Sequence, residues 1–184
     1  MAQTTKKALA ASLKKLLEKT TLDKITVKDI ANDCEVNRQT FYYHFQDVYA
    51  LLEWIFLTEA AKVIANNKTY DTWQQGYLQA FLYVEQNKTL VVNAYHSIGR
   101  EHLDRYLYSV AQKLLMDVVN EKAEGLHVAE EDKQFIADFY KYAFVGLMLE
   151  WIRTGMKERP EDIIDKLSKL ITGDIHRALL KYEQ

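Results

Sequence analysis

Apolar residues recur along almost the whole chain at steps of three and four, the period of helices that bury one face. Leu9, Leu13, Leu16 and Leu17 define a first helix over roughly residues 4–19, and residues 20–25 read as a connection. Thr26 opens a short helix over residues 27–34. Its hydroxyl can accept from an orphan backbone N–H, and Asp29 falls in the first turn, where a carboxylate is favoured. Glu35-Val36-Asn37 breaks the pattern, and Asn37 caps a third helix, residues 38–45. After Gln46-Asp47 a longer helix is predicted over residues 48–66, then a polar loop to Asp71. Trp73, Tyr77, Phe81 and Val84 mark the next helix, residues 89–97 a short one, and Leu103, Tyr106, Val110, Leu114 and Val118 another. Beyond Gly125 and the acidic Glu130-Glu131-Asp132, the series Phe135, Phe139, Tyr142, Gly146 and Leu149 advances by 4, 3, 4 and 3. Pro160, Glu161 and Asp162 suit the first turn of a final helix with the face Ile163, Leu167, Leu170 and Ile171.

No alternating strand pattern, internal repeat or low-complexity tract interrupts this series. One proline and six glycines in 184 residues fit long helices, so the expected class is all-α, with about nine helices. Hydrophobic residues make up 48% and charged residues 27%, ordinary values for a globular protein. No apolar run approaches the roughly 18–20 residues that span a bilayer. The first residues lead into an amphipathic helix and not into a secretory leader, so the reducing cytoplasm is the expected compartment. A single cysteine, Cys34, excludes a disulfide framework and a cysteine-based zinc cluster, and it reads as a packing residue. His96 and His102 lack a carboxylate at matching spacing, so packing or surface roles are expected and no metal. The chain shows no Ser/His/Asp order, no two Glu-x-x-His motifs that could share a metal site (Glu124-x-x-His127 stands alone) and no glycine-rich phosphate loop, which argues against an enzyme and against a cofactor.

Charge adds one asymmetry. Residues 1–46 carry eight Lys/Arg and five Asp/Glu, a net of +3, while the remainder has a net of −5. A mildly basic head on an acidic body fits a local DNA-binding module. Within that head, two short helices lie three residues apart, with Ala31 inside the first and Val36 in the turn, which is helix-turn-helix spacing. At about 100° per residue, Phe41 and Phe45 share the inner face of the third helix and Gln39 and Tyr43 the outer one. Arg38 and Tyr42 lie on one flank, Thr40 and His44 on the other. As a major-groove helix it would set Gln39 and Tyr43 against base edges, with Arg38, Thr40, Tyr42 and His44 toward phosphates. Lys28 adds a cation near a helix start that already favours anions.

Thr26-Val27-Lys28-Asp29-Ile30-Ala31 and Val36-Asn37-Arg38-Gln39-Thr40-Phe41-Tyr42-Tyr43-His44-Phe45 closely resemble the DNA-binding signature of TetR-type transcriptional regulators. The resemblance implies a helix-turn-helix DNA-binding domain over residues 1–47 and a helical effector-binding and dimerisation domain over residues 48–184. It implies a homodimer on double-stranded operator DNA, a repressor in the first instance, switched by a small effector or a partner protein. Thr26, Lys28, Asn37, Arg38, Gln39, Thr40, Tyr42, Tyr43 and His44 are the expected DNA-binding residues. Leu51-Leu52-Glu53-Trp54-Ile55-Phe56 and Tyr70-Asp71-Thr72-Trp73-Gln74 are similar to the subgroup that regulates dihydroxyacetone-kinase operons. That leaves an activator or co-regulator working with a protein partner as the alternative, beside a helical module whose head has lost DNA binding.

Three departures from the family pattern bear on the head, the mildest being Asn37 as the cap where serine is commoner, a chemically equivalent choice. Glu35 stands where glycine is common, and a left-handed Glu costs about 1 kcal/mol or more, so a differently shaped turn is expected. Val48 stands where a lysine near a phosphate is frequent. In the body, Trp73, Tyr77, Phe81, Tyr95, Tyr106, Tyr140, Phe144 and Trp151 fit either a ligand cavity or an aromatic core. Phe135, Phe139, Tyr142, Gly146, Leu149, Ile163, Leu167, Leu170 and Ile171 fit a dimer seam, because Gly146 permits close helix approach and the family places its interface there.

Overall fold

The computed structural model describes residues 2–64, 72–96 and 100–183; side chains are described for all of these but 2, 60, 61, 63, 64, 100 and 102. Every regular element among the described residues is helical. In order these are α1 (Ala2–Leu17), a 3-10 turn (Leu22–Lys24), α2 (Val27–Asp33), α3 (Arg38–His44), α4 (Val48–Ile64) and α5 (Trp73–Gln86). They continue with α6 (Lys88–Tyr95), α7 (Arg100–Lys122), α8 (Glu130–Arg153), α9 (Pro160–Ile171) and α10 (Asp174–Tyr182). The last helix predicted from sequence is thus followed by one more. Gly173, at φ 80°, turns the chain between them in the left-handed region that glycine enters without steric cost. No described helix is long and apolar enough to cross a membrane.

Two compact units form. The first joins Met1–Glu59 to Asn87–Tyr106, and the second joins Ala60–Gln86 to Leu107–Gln184. The first unit is larger than the sequence head. Leu9, Leu13 and Leu17 of α1, spaced to one face, are completely buried, and α1 packs on α2, α3 and α6. Leu51, Leu52 and Ile55 of α4 are buried in the same unit. The Asn93 amide donates to Leu17 O at 2.7 Å, satisfying a carbonyl that the end of α1 leaves open. Tyr106 donates to Phe56 O at 2.5 Å, with its ring stacked on the Phe56 ring at 5.4 Å. Burial pushes the Tyr106 hydroxyl well above the usual phenol range, so it remains a donor.

The second unit is built on α5, α8, α9, α10 and the later turns of α7. Leu115, Val118 and Val119 meet Ile136, Ala137, Tyr140 and Phe144 of α8 and Ile175 and Leu179 of α10. α5 packs on α9, which begins with Pro160 at its first turn, followed by Glu161 and Asp162.

The α2–α3 turn corrects one expectation. Glu35 adopts φ 54°, the left-handed conformation that a glycine would take, so the turn keeps the glycine-like shape. Two bonds force it: Val36 N–H donates to Ala31 O at 2.9 Å, and Glu35 N–H donates to Asn32 O at 3.1 Å. These are the paired closing bonds of a Schellman cap, which outweigh the local strain. Glu35→Gly is therefore expected to stabilise the protein by about 1 kcal/mol, raising the melting temperature by about 2–4 °C. A thermal melt followed by circular dichroism checks this, and an unchanged or lower midpoint would show that the strain is already relieved.

Candidate nucleic-acid interface

Capping chemistry sets both helices of the motif. Thr26 Oγ1 accepts from Asp29 N–H at 3.3 Å, and Asp29 Oδ2 accepts from Thr26 N–H at 2.9 Å, a reciprocal capping box at the start of α2. The Thr26 hydroxyl also donates to Asp29 Oδ2 at 2.6 Å. These Thr26 bonds, aided by Lys28, hold the Asp29 carboxyl below its usual range. Asn37 Oδ1 accepts from Gln39 N–H at 2.6 Å and starts α3. Ile30 and Ala31 of α2 and Phe41 of α3 are buried, as is Phe45, which closes α3. Ala31 is small where the two helices cross. Half-buried Cys34 donates to Ala8 O at 3.4 Å, and burial pushes its thiol up, away from a reactive thiolate.

This scaffold turns the opposite side of α3 outward. Tyr43 is 82% exposed and Tyr42 57% exposed, unusual for tyrosines that have no role at a surface. Arg38, Gln39 and Asn37 are exposed, and Thr40 and His44 are half-buried. The Tyr42 ring rests edge-on against Phe41 at 5.8 Å, and Tyr43 against His44 at 5.0 Å. Both hydroxyls are thus carried on rings already held in place. Thr26 and Lys28 are exposed at the start of α2. The nine residues expected to meet DNA fall within one compact unit, on the two helices and caps of the motif.

The aromatic series of the body divides. Tyr95 and Tyr106 belong to the first compact unit and the other six to the second. In the second unit the rings pack on one another: Trp73 on Phe144 at 5.5 Å, Tyr77 on Phe144 at 4.6 Å, and Phe81 on Trp151 at 4.8 Å. Their polar tips are used internally. Tyr77 donates to Phe144 O at 2.5 Å and Trp151 Nε1 to Glu158 O at 2.8 Å, while Tyr140 is buried in the core cluster. For Tyr77 this burial raises the phenol far above its usual range. Sequence reading missed Gln112 in α7. Both polar atoms of its amide are shielded from solvent and meet no hydrogen-bonding group among the described residues. A glutamine within an amphipathic helix carries no signal of that isolation.

The seam residues divide as well. Phe135, Phe139 and Tyr142 are 60–64% exposed along α8, and Gly146 is exposed with nothing in the protomer within 4 Å of an added Cβ. Leu170 is exposed, and Leu149 and Ile171 are half-buried. Ile163 and Leu167 are buried inside the protomer, on the helix that packs against α5, so they are withdrawn from any surface offered to a second copy. Their place beside α8 is taken by α10. Phe135, Phe139, Ala178 and Tyr182 line a groove of about 380 Å³ between α8 and α10, with Asp174, Arg177 and Lys181 on its walls. His96 is exposed, and the side chain of His102 lies outside the described residues.

A capped helix-turn-helix with a polar, aromatic and cationic outer face, in an otherwise helical chain, defines a DNA-binding transcription regulator. Residues 6–55 match the family model for bacterial regulatory proteins of the tetR family, and residues 71–173 match a transcriptional regulator C-terminal region. The chain belongs to the TetR family, whose members are transcription regulators and not enzymes. It is 28% identical over 153 residues to the HTH-type dhaKLM operon transcriptional activator DhaS of Lactococcus lactis, covering 82% of this chain and 81% of that protein. The solved structure of a dihydroxyacetone kinase operon activator DhaS superimposes with a TM-score of 0.70 at 24% identity, over 98% of both chains. NalD, described as the secondary repressor of the MexAB-OprM multidrug efflux pump in Pseudomonas aeruginosa, gives a TM-score of 0.62 at 13% identity, over 97% of this chain and 98% of that one.

Proposed function

We propose that the protein is a homodimeric, sequence-specific DNA-binding regulator of an operon for dihydroxyacetone- or glycerol-type metabolism, acting as an activator together with a protein partner. Residues 1–47 carry the DNA-contacting surface, and the dimer and regulatory surfaces lie within residues 48–184. The observation that carries the reading is the outer face of α3, where Tyr42 and Tyr43 stand exposed beside Arg38 and Gln39. Gln39 and Tyr43 meet base edges, while Arg38, Thr40, Tyr42, His44 and the start of α2 meet phosphates. Similarity to a protein described as an operon activator supports the direction of the response. The interlocked rings of the second unit support a partner protein over a small effector, since the polar tips of Tyr77 and Trp151 are already bonded.

Selection of genomic fragments by the purified protein, followed by sequencing, tests the reading. Enrichment of a pseudo-palindrome beside dihydroxyacetone- or glycerol-type genes is expected, and enrichment beside unrelated genes would refute the regulon. On the selected site, Gln39→Ala is expected to narrow the gap between operator and scrambled DNA by about tenfold, the 1–3 kcal/mol of one base contact, while non-specific binding holds. Equal loss on both sequences would make Gln39 a backbone contact.

A second reading is a repressor released by a small molecule, and the Gln112 amide, unpartnered among the described residues, favours it. A buried amide costs about 1–3 kcal/mol when unsatisfied, and a polar ligand would recover that. The readings part on one readout: a small molecule alone shifts operator affinity in the second and leaves it unchanged in the first.

A further inference from the structure

Lys6, near the start of α1, sets its ammonium 5.4 Å from the centre of the Phe45 ring. Phe45 is the residue that closes α3. A cation from the first helix therefore stands at the far end of the proposed recognition helix, opposite Arg38 at its beginning. Of the other lysines of α1, Lys7 is exposed, whereas Lys14 and Lys15 are paired. Lys14 binds Glu59 at 2.6 Å and Lys15 binds Asp33 at 2.5 Å, so both charges are answered within the protein. Lys6 forms no ion pair among the described residues, and it is half-buried against an aromatic face.

The chain that leaves α3 needs such a charge. Phe45, Gln46, Asp47 and Val48 supply none. Val48 is buried, and the Asp47 carboxylate accepts from Ala50 N–H at 2.8 Å, so the first turn of α4 is already capped by an anion. A phosphate arriving there would meet that carboxylate and not open N–H groups. A helix lying in the major groove has phosphates beyond both of its ends, because the groove is only about 12 Å wide. The ring also fixes the lysine stem, so less side-chain freedom is lost when the ammonium meets an anion.

We infer that Lys6 is a DNA-phosphate contact, positioned by the Phe45 ring, that serves the C-terminal end of α3 just beyond His44, where the chain from Phe45 to Val48 carries no cation. This rests on α3 as the groove helix. It adds a residue outside the helix-turn-helix to the interface and assigns it to the backbone, not to the bases.

The test is operator affinity by fluorescence anisotropy across a salt series, for the wild type, Lys6→Gln, Lys6→Met and Lys6→Arg. Each neutralised phosphate contributes about 0.9 to the slope of log affinity against log salt. Both Lys6→Gln and Lys6→Met are expected to lower the slope by about 1.8 for a dimer, equally on operator and scrambled DNA, while Lys6→Arg retains it. Met keeps an apolar stem on the ring, so a slope lost with Gln but kept with Met would make Lys6 a packing residue and overturn the inference. Wild-type slope in both neutral variants overturns it too. A wild type that forms no specific complex overturns the groove-helix reading, and this inference with it.

Discussion

A Phe139→Glu variant is expected to run as a monomer and to lose specific operator binding. Phe139 is 64% exposed in the protomer and sits between Phe135 and Tyr142, themselves 61% and 60% exposed. Three large apolar side chains in one row on one helix are costly to leave in water and mark an association surface. Phe135 and Phe139 line the groove against α10, and a second copy seated there would bury them, as a two-fold interface requires. Glu at this position puts two like charges into the seam, each stripped of water and facing the other. The substitution costs the core little, since the side chain is largely outside and meets the core through an edge contact with the Tyr140 ring at 5.4 Å. Helix content should therefore survive. Two heads on one duplex act as a single binding unit, and specific complexes typically exceed non-specific ones by about 10³–10⁷. A lone head falls toward the lower, non-specific level. Sedimentation measures the mass, and a gel shift on the selected operator measures the binding. A variant that remains dimeric and binds normally would place the interface elsewhere.

The second large effect concerns Tyr42. Its ring leans on Phe41 and the residue is 57% exposed, the arrangement that the proposed phosphate contact needs. A hydrogen bond to a charged acceptor contributes about 1.5–3 kcal/mol, and a dimer makes two of them. Tyr42→Ala should lose about a hundredfold or more in operator affinity, since about 1.4 kcal/mol corresponds to a factor of ten. Tyr42→Phe should lose most of the same affinity, because the ring remains and only the hydroxyl is gone. Sedimentation and melting should match the wild type in both. Unchanged operator affinity in Tyr42→Ala would remove Tyr42 from the interface.

Much of the head was legible in the amino-acid order. Thr26 and Asn37 announce helix starts by their chemistry, and the structure shows both side chains accepting the orphan N–H groups. Phe41 and Phe45 read as the inner face and are buried; Tyr43 reads as the outer face and is exposed. Such inferences succeed because they are local. A cap acts across three residues, and the angle around a helix is fixed by covalent geometry.

The body was less legible, because periodicity says that a face is buried and not against what. The stripe of α8 and the stripe of α9 look alike in sequence. Only the packed structure separates them, with Ile163 and Leu167 inside the protomer and Phe135 and Phe139 outside it. The aromatic series failed to remain one group for the same reason, as Tyr95 and Tyr106 fold with the first unit. Glu35 shows the limit in the other direction. Its local preference argues against φ 54°, yet two closing hydrogen bonds to Ala31 and Asn32 hold it there. The sequence by itself determined an all-helical chain, its capped helix-turn-helix and the outward face of α3, since these follow from neighbours three and four residues apart. Tertiary structure alone decided that Lys6 reaches Phe45, that α10 lies beside α8, and that Gln112 meets no hydrogen-bonding group among the described residues. Each depends on which distant helices meet, and that is settled by the summed burial of many side chains and by no local rule.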